Sequence, residues 1–414
     1  MIQLKKGLLF LFFGLLTTAF YAQQLKLDAV LRPRSEYRHG YKTLFPDNTD
    51  AALFISQRTR LNTSFSTEKL NIYVSLQDIR VWGDVPQLNS ADKNGLSLHQ
   101  AWGELLFDSN FSLKLGRQEI IYDDSRIFGN VGWAQQARSH DLAMLKYKKN
   151  NFKADIGLAF NQDAENITST NLTTKTYKAM QYAWLHQDWS NFSGSFLFLN
   201  NGMQTSTGVN YSQTVGTHLN AKENNFNVAA NLYYQFGKDV ADNDLNAYLV
   251  GLDATLKASG STKVGIGAEL QSGNDNGVPS ANKNNAFSPL YGTNHKFNGL
   301  MDYFYVGNHA NNVGLLDVYA KANFGLNPKS SLTAAVHNFS AAADINSTVS
   351  KQLGTEVDLV YGYTFTKEIG INAGYSQMFA AEGMEALKGN TDGNTNNWGW
   401  IMVTIKPTLF TSKK

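Results

Sequence analysis

The sequence predicts an all-β protein: a transmembrane antiparallel β-barrel of about eighteen strands, with short periplasmic turns and long extracellular loops. Three observations support this. The chain begins with an export signal. It carries 25 Phe, 19 Tyr and 7 Trp, without a long apolar segment after that signal. Apolar and polar residues then alternate along the rest of the chain, which is the pattern of strands with one apolar and one polar face.

The first 22 residues have the layout of a secretory signal peptide. Lys5 and Lys6 precede an apolar run over 7–20, and Ala22 stands before two glutamines. A non-cleaved anchor helix is the alternative, but the run is shorter than the ~20 residues that a bilayer-spanning helix needs. We therefore expect 1–22 to be a signal peptide and 23–414 to form one outer-membrane barrel domain.

Charge and cysteine content exclude several classes of protein. Removing the leader takes away two lysines, so the 36 basic and 34 acidic residues of the whole chain become 34 and 34. A neutral chain argues against binding nucleic acid through bulk charge. The absence of cysteine excludes disulfides, thiolate nucleophiles and cysteine-ligated metals.

Alternation is clearest over 226–237, where the even positions are apolar and the odd positions are mostly polar or small. The stretches 152–161 and 353–363 repeat the pattern. A soluble β-sandwich would alternate in the same way, so the lengths of the connections have to separate the two folds.

Short and long connections alternate along the chain, as they do in a membrane barrel. We predict short turns near 67–68, 109–110, 150–151, 190–191, 224–225, 259–260, 328–329 and 367–368. We predict longer loops near 39–50, 83–95, 121–137, 163–176, 201–213, 238–244, 273–312, 341–350 and 380–395. Unpaired strand edges in lipid would cost several kcal/mol per backbone group, so the sheet must close. A barrel of this size is too wide for its own side chains to fill.

The arginines are concentrated in one part of the chain, since all nine lie between residues 32 and 138. Arg32, Arg34 and Glu36 share one face of the first strand. That face must be lumenal, because an arginine at mid-membrane costs ~2–4 kcal/mol. Arg58 and Arg60 share the parity of the serines of the second strand, which predicts an inward position for them as well.

The alternation places two other arginines on the apolar face of their strands. Arg80, with Asp78, and Arg117 share the parity of apolar residues, so each must either extend past the lipid to the rim or follow a bulge that changes the face. Planar guanidinium groups match carboxylates. Arginines interleaved with acids would therefore form a path for an anionic solute. The alternative is that they only brace the wall and the inner loops.

These motifs resemble the alginate export family of bacterial outer-membrane proteins. The resemblance rests on RPRSEYR at 32–38, QRTRL at 57–61, LQDIRVWGD at 76–84, QAW at 100–102, LKLGRQE at 113–119 and ARSHD at 137–141. It implies an eighteen-stranded barrel with an electropositive constriction that passes anionic polysaccharide or other anionic solutes. The absence of arginine after residue 138 departs from that pattern, and either Lys153 or Lys321 replaces the missing arginines or nothing does.

The resemblance carries over, motif by motif, to specific residues of this chain. The implied conduit residues are Arg32, Arg34, Arg58, Arg60, Arg80 and Arg117, with Glu36, Asp78 and Glu119 as charge partners. The segment after the fifth strand adds the pore candidates Arg126 and Arg138, with the acids Asp123, Asp124 and Asp141.

Two other kinds of site are weaker. The segments 272–277 and 389–396 are rich in oxygen ligands for Ca²⁺, but neither is a twelve-residue calcium loop, so we expect flexible loops, and no cofactor. Ser139, His140 and Asp141 have the residue types of a catalytic triad. Adjacent strand residues point to opposite faces, however, so these three do not converge, and we expect no enzyme.

The sequence therefore predicts a passive channel in the bacterial outer membrane that contacts lipid and passes anionic solutes or sugar-acid saccharides. The alternative is a structural or surface-binding barrel, plugged by the loop at 273–312 or bound to a periplasmic or surface partner.

Overall fold

The computed structural model describes residues 23–89, 91–174, 176–304, 313–390 and 393–412. The predicted signal peptide lies outside them. Among the described residues, no helix combines the length and hydrophobicity needed to cross a membrane.

Eighteen antiparallel strands form one closed sheet around a wide lumen. They are β1 (Gln24–His39), β2 (Ala52–Ser66), β3 (Leu70–Val81), β4 (Ser97–Leu106), β5 (Phe111–Gln118), β6 (His140–Lys149), β7 (Phe152–Phe160), β8 (Ala179–Asp188), β9 (Phe192–Gln204), β10 (Val209–Glu223), β11 (Phe226–Lys238), β12 (Asp244–Lys257), β13 (Thr262–Gln271), β14 (Leu315–Asn327), β15 (Ser330–Ser340), β16 (Gln352–Thr364), β17 (Ile369–Ala380) and β18 (Asn396–Ile405).

The barrel closes because β1 pairs with β2 on one side and with β18 on the other. After Pro407 the short segment Thr408–Thr411 continues the edge of β18 and pairs with the start of β1. A two-residue segment, Lys283–Asn284, pairs in parallel with the start of β12. Among the described residues, the helical elements are a 3₁₀ turn (Asn294–Lys296) and helix α1 (Glu382–Lys388).

The predicted alternation of faces is confirmed in β11. Phe226 and Leu232 face outward and are 57% and 42% exposed, whereas Asn231 and Gln235 face the lumen and are 7% and 2% exposed. Apolar side chains thus cover the lipid-facing surface while amides face inward, as a lipid solvent outside and a polar lumen inside require.

All eight predicted short turns lie in connections of the barrel. The predicted long loop at 201–213 is wrong, because β9 and β10 continue through most of it and a tight turn at 205–208 joins them. The hydroxyl of Thr205 accepts a hydrogen bond from the Gly208 N–H at 3.1 Å. Polar residues such as Asn201 face the lumen, so composition alone makes this strand resemble a loop.

The long loops lie at one end of the barrel, which we call the loop end. One side of the loop end is covered by a buried apolar cluster. Loop 40–51, the segment 300–304 and helix α1 pack there against the wall near β18. Its fully buried members include Leu44, Met301, Tyr303, Phe339, Met384 and Trp398. Access from outside is therefore left to the opposite side of the loop end.

Four inward-facing glycines lie directly opposite an aromatic residue of the neighbouring strand. The pairs are Gly157 with Tyr182, Gly216 with Tyr233, Gly267 with Tyr319 and Gly374 with Trp400. In each pair the aromatic ring lies over the glycine, and a Cβ at Gly374 would be 2.3 Å from Trp400 Cε2. The absence of a side chain at these glycines is what lets the rings lie flat against the wall.

We expect Gly374→Ala to destabilise the barrel by about 1–3 kcal/mol, because the added methyl group displaces the Trp400 ring. The urea midpoint of the refolded protein in detergent, followed by tryptophan fluorescence, measures this. Gly370→Ala in the same strand is the matched control, since a Cβ there would meet nothing within 4 Å. Equal shifts in both variants would contradict the role assigned to the ring contact.

Candidate functional site

Two loops cross the lumen. The first inner loop, residues 119–139, joins β5 to β6, and the second inner loop, residues 272–314, joins β13 to β14 and is described over 272–304 and 313–314. Together they occupy the middle of the barrel, so whatever crosses the barrel must pass them.

The two loops are joined to each other through their backbones. Phe128 and Tyr291 form an isolated parallel bridge. The Gly129 N–H donates to the Tyr291 carbonyl at 2.9 Å, and the Thr293 N–H donates to the Ser125 carbonyl at 2.9 Å. The approach is too close for a side chain at position 129, where a Cβ would lie 2.2 Å from Thr293 Oγ1.

The first inner loop is held in an unfavourable backbone conformation. Asp123, Ser125, Val131 and Ala137 all have positive φ, between 50° and 72°. Non-glycine residues in this region cost of order 1–3 kcal/mol each and persist only where the surroundings impose them. The contacts of this loop with the wall must therefore be strong.

Arginines of the wall supply those contacts. Arg32 donates from Nη1 to the Gly132 carbonyl at 2.8 Å and from Nη2 to the Trp133 carbonyl at 3.0 Å. Arg58 donates to the carbonyls of Ala134 and Gln135. Both arginines are buried, at 9% and 6% exposure. Their guanidinium groups are occupied by the loop backbone instead of facing open water.

Arg34 fixes the tip of the same loop. Its Nη1 donates to the Trp133 carbonyl at 2.7 Å, and its guanidinium carbon lies 3.9 Å from the centre of the Trp133 ring. Glu36 pairs with Arg34 at 2.8 Å and accepts from Trp398 Nε1 at 3.2 Å. The Trp133 ring also stacks on His295 of the second inner loop, with centroids 4.5 Å apart.

On a second part of the wall, formed by β13–β16, carboxylates hold the second inner loop. The Met301 N–H donates to Glu356 at 2.8 Å and the Leu300 N–H donates to Asp358 at 3.3 Å. Asn298 Nδ2 donates to Glu269 at 3.0 Å and to Asp317 at 3.2 Å. Donors on the β1–β2 wall thus bind loop carbonyls, and acceptors on the β13–β16 wall bind loop N–H groups.

Arg126 connects the two loops to the wall. It is 1% exposed, forms an ion pair with Glu269, and donates to Asn294 and Asn298 at 3.1 Å each. Its guanidinium carbon lies 4.4 Å from the centre of the Phe297 ring. Arg126, which the sequence predicted as a pore residue, therefore forms a buried ion pair with Glu269 inside the barrel.

The acids of the first inner loop bind wall residues. Asp123 accepts from Trp184 at 3.2 Å and from Ser195. Burial raises the pKa of the Asp123 carboxyl, although these hydrogen bonds oppose the shift. Asp124 accepts from Asn231 at 2.6 Å. Both acids position the loop.

Glu119 and Arg60 lie at the base of the first inner loop. Glu119 accepts from His99 at 2.7 Å and from Asn130 at 3.0 Å. Burial acts to raise the pKa of Glu119, but these two hydrogen bonds and the nearby charges of His99 and Arg60 together outweigh it and leave the pKa below its usual value. Arg60 donates to Gln77 at 2.9 Å.

Two pairs that were predicted as pore residues face away from the lumen, at the rim, which is one of the two positions that their parity allowed. Asp78 and Arg80 lie opposite the outward-facing Thr59 and Gln57 of β2, and Arg80 also pairs with Asp92 at 2.7 Å. Arg117 pairs with Asp141 at 2.8 Å on the outer face of β5 and β6, where the side chains are 44% and 57% exposed. Strand β3, which carries Asp78 and Arg80, and strand β5, which carries Arg117, both continue past the lipid to the rim. No bulge has moved these side chains to the other face.

Two cavities lie in the lumen. The outer cavity, about 830 Å³, lies at the loop end and is lined by amides, hydroxyls, two tyrosines and a few charges. Its main lining residues are Arg117, Arg138, His140, Asp141, Asn161, Gln162, Tyr177, Asn201, Gln235, Lys238, Asp239 and Tyr291. Arg138 is held there by the Gly292 carbonyl at 3.1 Å.

The inner cavity, about 430 Å³, lies on the other side of the second inner loop. Its charged lining residues are Asp124, Asp253, Glu269, Asp317, Asp358, Lys296 and Lys321. Lys321 is already paired with Asp253. Burial lowers the pKa of Lys296, with Asp124 opposing that shift. Carboxylates therefore outnumber lysines in this cavity.

Several residues that build the site carried no signal in the sequence. They are Trp133, Gln135, Glu269, Asn294, His295 and Asn298. Most of their partners are backbone groups or residues far away in the chain, and no spacing pattern marks either. Among the described residues, no group of three or more His, Asp or Glu side chains could hold a metal ion.

A closed eighteen-stranded barrel with loops folded into its lumen is an outer-membrane channel of the porin type. The chain belongs to the Alginate export family, whose model matches residues 23–397.

Solved structures show the same fold at low sequence identity. OccAB4 of Acinetobacter baumannii is 14% identical, with 94% of this chain and 99% of that chain covered and a TM-score of 0.62. OpdL of Pseudomonas aeruginosa is 12% identical, with 93% and 99% covered and a TM-score of 0.63. OpdK of Pseudomonas aeruginosa with vanillate is 12% identical, with 93% and 98% covered and a TM-score of 0.59. No curated protein sequence matches the chain.

We expect Arg58→Met to loosen the first inner loop, because it removes the donor to the Gln135 carbonyl and one of the donors to the Ala134 carbonyl. An unsatisfied buried acceptor costs about 1–3 kcal/mol, so amide hydrogen exchange over 132–136 should accelerate about tenfold or more. Arg80→Met is the matched control, since it removes an arginine ion pair outside the lumen. Unchanged exchange in Arg58→Met would contradict the anchoring role.

Proposed function

We propose that this channel passes small, hydroxyl-rich solutes that carry one acidic group, such as single sugar acids or short oligomers of them, by passive diffusion. The observation that carries the proposal is the lining of the outer cavity. Its amides and hydroxyls match sugar hydroxyls, its tyrosines offer flat faces, and Arg117, Arg138 and Lys238 outnumber Asp141 and Asp239.

The proposed route runs from the outer cavity, past the two inner loops, to the inner cavity. The outer cavity lies on the side of the loop end that the apolar cluster around Trp398 leaves uncovered. Weak attraction shared among several sites admits a solute and also lets it leave. The charges of the outer cavity are partly paired with each other, as Arg117 is with Asp141, which keeps any one site weak.

The inner cavity supports a short solute in preference to a long polyanion. Five carboxylates and two lysines line it. A polymer with an acid on every sugar would place several negative charges beside these carboxylates, and like charges repel in a confined, partly dry space. A solute with one acidic group brings only one negative charge near these carboxylates, and that charge can pass beside Lys321.

In this proposal most of the wall arginines act through the first inner loop. Arg32, Arg34 and Arg58 set the position of that loop and so the width of the passage, whereas Arg138 faces the outer cavity and contacts solute. The choice of solute then depends on the lining of the outer cavity, and the width of the pore depends on Arg32, Arg34 and Arg58.

The second candidate is a structural or surface-binding barrel closed by its inner loops. The observation that favours it is the double attachment of the loops, to each other and to two different parts of the wall. The two candidates differ in conductance, since a permanently closed barrel carries no current.

We expect the refolded protein to conduct in planar bilayers and galacturonate to reduce the potassium chloride current. Arg138→Gln should raise the half-blocking concentration of galacturonate about tenfold, since a charge-assisted hydrogen bond is worth about 1.5–3 kcal/mol. Galactose should block wild type and variant equally weakly, because it lacks the acid.

Arg80→Gln is the matched control for this measurement and should behave like wild type. Equal block by galacturonate in wild type and Arg138→Gln would contradict the proposed contact. The absence of any channel current from pure protein would instead favour the closed structural barrel.

A further inference from the structure

The wall of the barrel parts between β6 and β7 at the loop end. The last pair that joins these strands is Ala143 with Leu158. Continuing that register would pair Leu142 with Ala159 and Asp141 with Phe160, and these pairs do not form in the described chain. The unpaired ends are still well ordered, because β6 there pairs with β5 and β7 pairs with β8.

The outer cavity extends through this gap. Its lining includes His140 of β6, which faces the lumen, and also Asp141 of β6 and its neighbour Arg117 of β5, which face outward. Asn161 and Gln162 form the other edge of the gap, after β7. The cavity is therefore open sideways as well as toward the loop end, and we call this opening the lateral cleft.

The height of the lateral cleft follows from the outward-facing residues around it. Just below it, Leu145 and Leu158 face outward and are 41% and 55% exposed. The charged pair of Arg117 and Asp141 lies just beyond these leucines, nearer the loop end. A charge among lipid tails is costly, and so are unpaired backbone groups. The edge of the hydrocarbon therefore passes between the leucines and the pair, and the cleft opens at the level of the lipid head groups.

We propose that the lateral cleft binds the acidic sugar head group of an outer-leaflet glycolipid, which reaches the outer cavity from the side. Arg117 presents a half-exposed guanidinium that, within the described parts of the chain, donates one hydrogen bond, to Asp141. Guanidinium groups bind phosphate or carboxylate oxygens in pairs. Asn161 and Gln162 supply amides for sugar hydroxyls.

The back of the cleft offers a further polar contact. His140 is 5% exposed, its Nδ1 lies 3.2 Å from the hydroxyl of Tyr177, and its Nε2 has no hydrogen-bond partner among the described residues. A buried donor or acceptor left open in this way is unusual in a folded protein. It lies where the sugar of a bound head group would end. This site goes beyond the diffusion route and does not depend on conduction.

The test uses the full refolded chain and diphosphorylated lipid A as the glycolipid probe, with bound lipid counted by native mass spectrometry in detergent. Wild type should bind one lipid A with saturable affinity. Arg117→Gln should weaken it about tenfold, as the loss of a charge-assisted hydrogen bond predicts. Arg80→Gln, which removes the other outward-facing rim arginine, should leave it unchanged. Equal weakening by both variants, or by neither, would overturn the proposal.

A second pair of variants tests the cleft without removing charge. Gln162→Trp fills the mouth of the cleft and should abolish saturable lipid A binding. Glu165→Trp, on the same exposed loop but outside the cavity lining, should not. Retained binding in Gln162→Trp would contradict the lateral route even if Arg117→Gln behaves as expected.

Competition separates the two sources of an acidic sugar. Glucosamine 1-phosphate, which has the head-group chemistry without the acyl chains, should displace lipid A only at much higher concentration. Displacement at equal concentration would overturn the lipid assignment and show a site for free sugar phosphates. The galacturonate current block recorded on the same variants is a separate readout, so a failure of the lipid site is distinguishable from a failure of the diffusion route.

Discussion

The hydrogen bonds from the wall arginines to the backbone carbonyls of the first inner loop are the interaction on which the lumen depends. A barrel of eighteen strands is too wide to fill with its own side chains, so its interior has to be built from loops. A loop in that space carries backbone groups that need partners. Arg32, Arg34 and Arg58 provide several donors each in a fixed planar arrangement, which lysine could not do.

The same requirement explains the charge distribution of the two walls. The carbonyls of the first loop are met by guanidinium groups on β1 and β2, and the N–H groups of the second loop are met by the carboxylates of Glu356 and Asp358. Each wall is therefore charged according to the backbone groups of the loop that it receives. The field across the lumen results from this division, and the positive φ angles of the first loop are tolerated because of it.

Membership of the Alginate export family and the barrel fold shared with the Occ and Opd porins fix the class of protein, while identities of 11–14% leave the lining free to differ. Here the outer cavity is rich in amides and the inner cavity is rich in carboxylates. Arg32, Arg34 and Arg58 are covered by the first inner loop, so the side chains that line the two cavities are mostly other residues.

The sequence by itself determined the barrel, its strand number, the faces of strands such as β11 and the inward position of the arginines on β1 and β2. Alternation against lipid is a local rule that each strand must obey separately. The prediction made from this rule was wrong at 201–213, because the polar residues that face the lumen there have the composition of a loop. It left the rim positions of Arg80 and Arg117 undecided, because parity does not say where the hydrocarbon ends.

Only the tertiary structure decided what the charges bind. The partners of Arg32 and Arg58 are backbone carbonyls about a hundred and about eighty residues away. Every residue has a carbonyl, so no residue type marks these partners in the sequence. The contact between the two inner loops and the gap between β6 and β7 depend on where distant segments meet in space. The sequence therefore specified a wall that carries charges, and the folded chain determined which of these charges are paired inside the protein and which line the cavities.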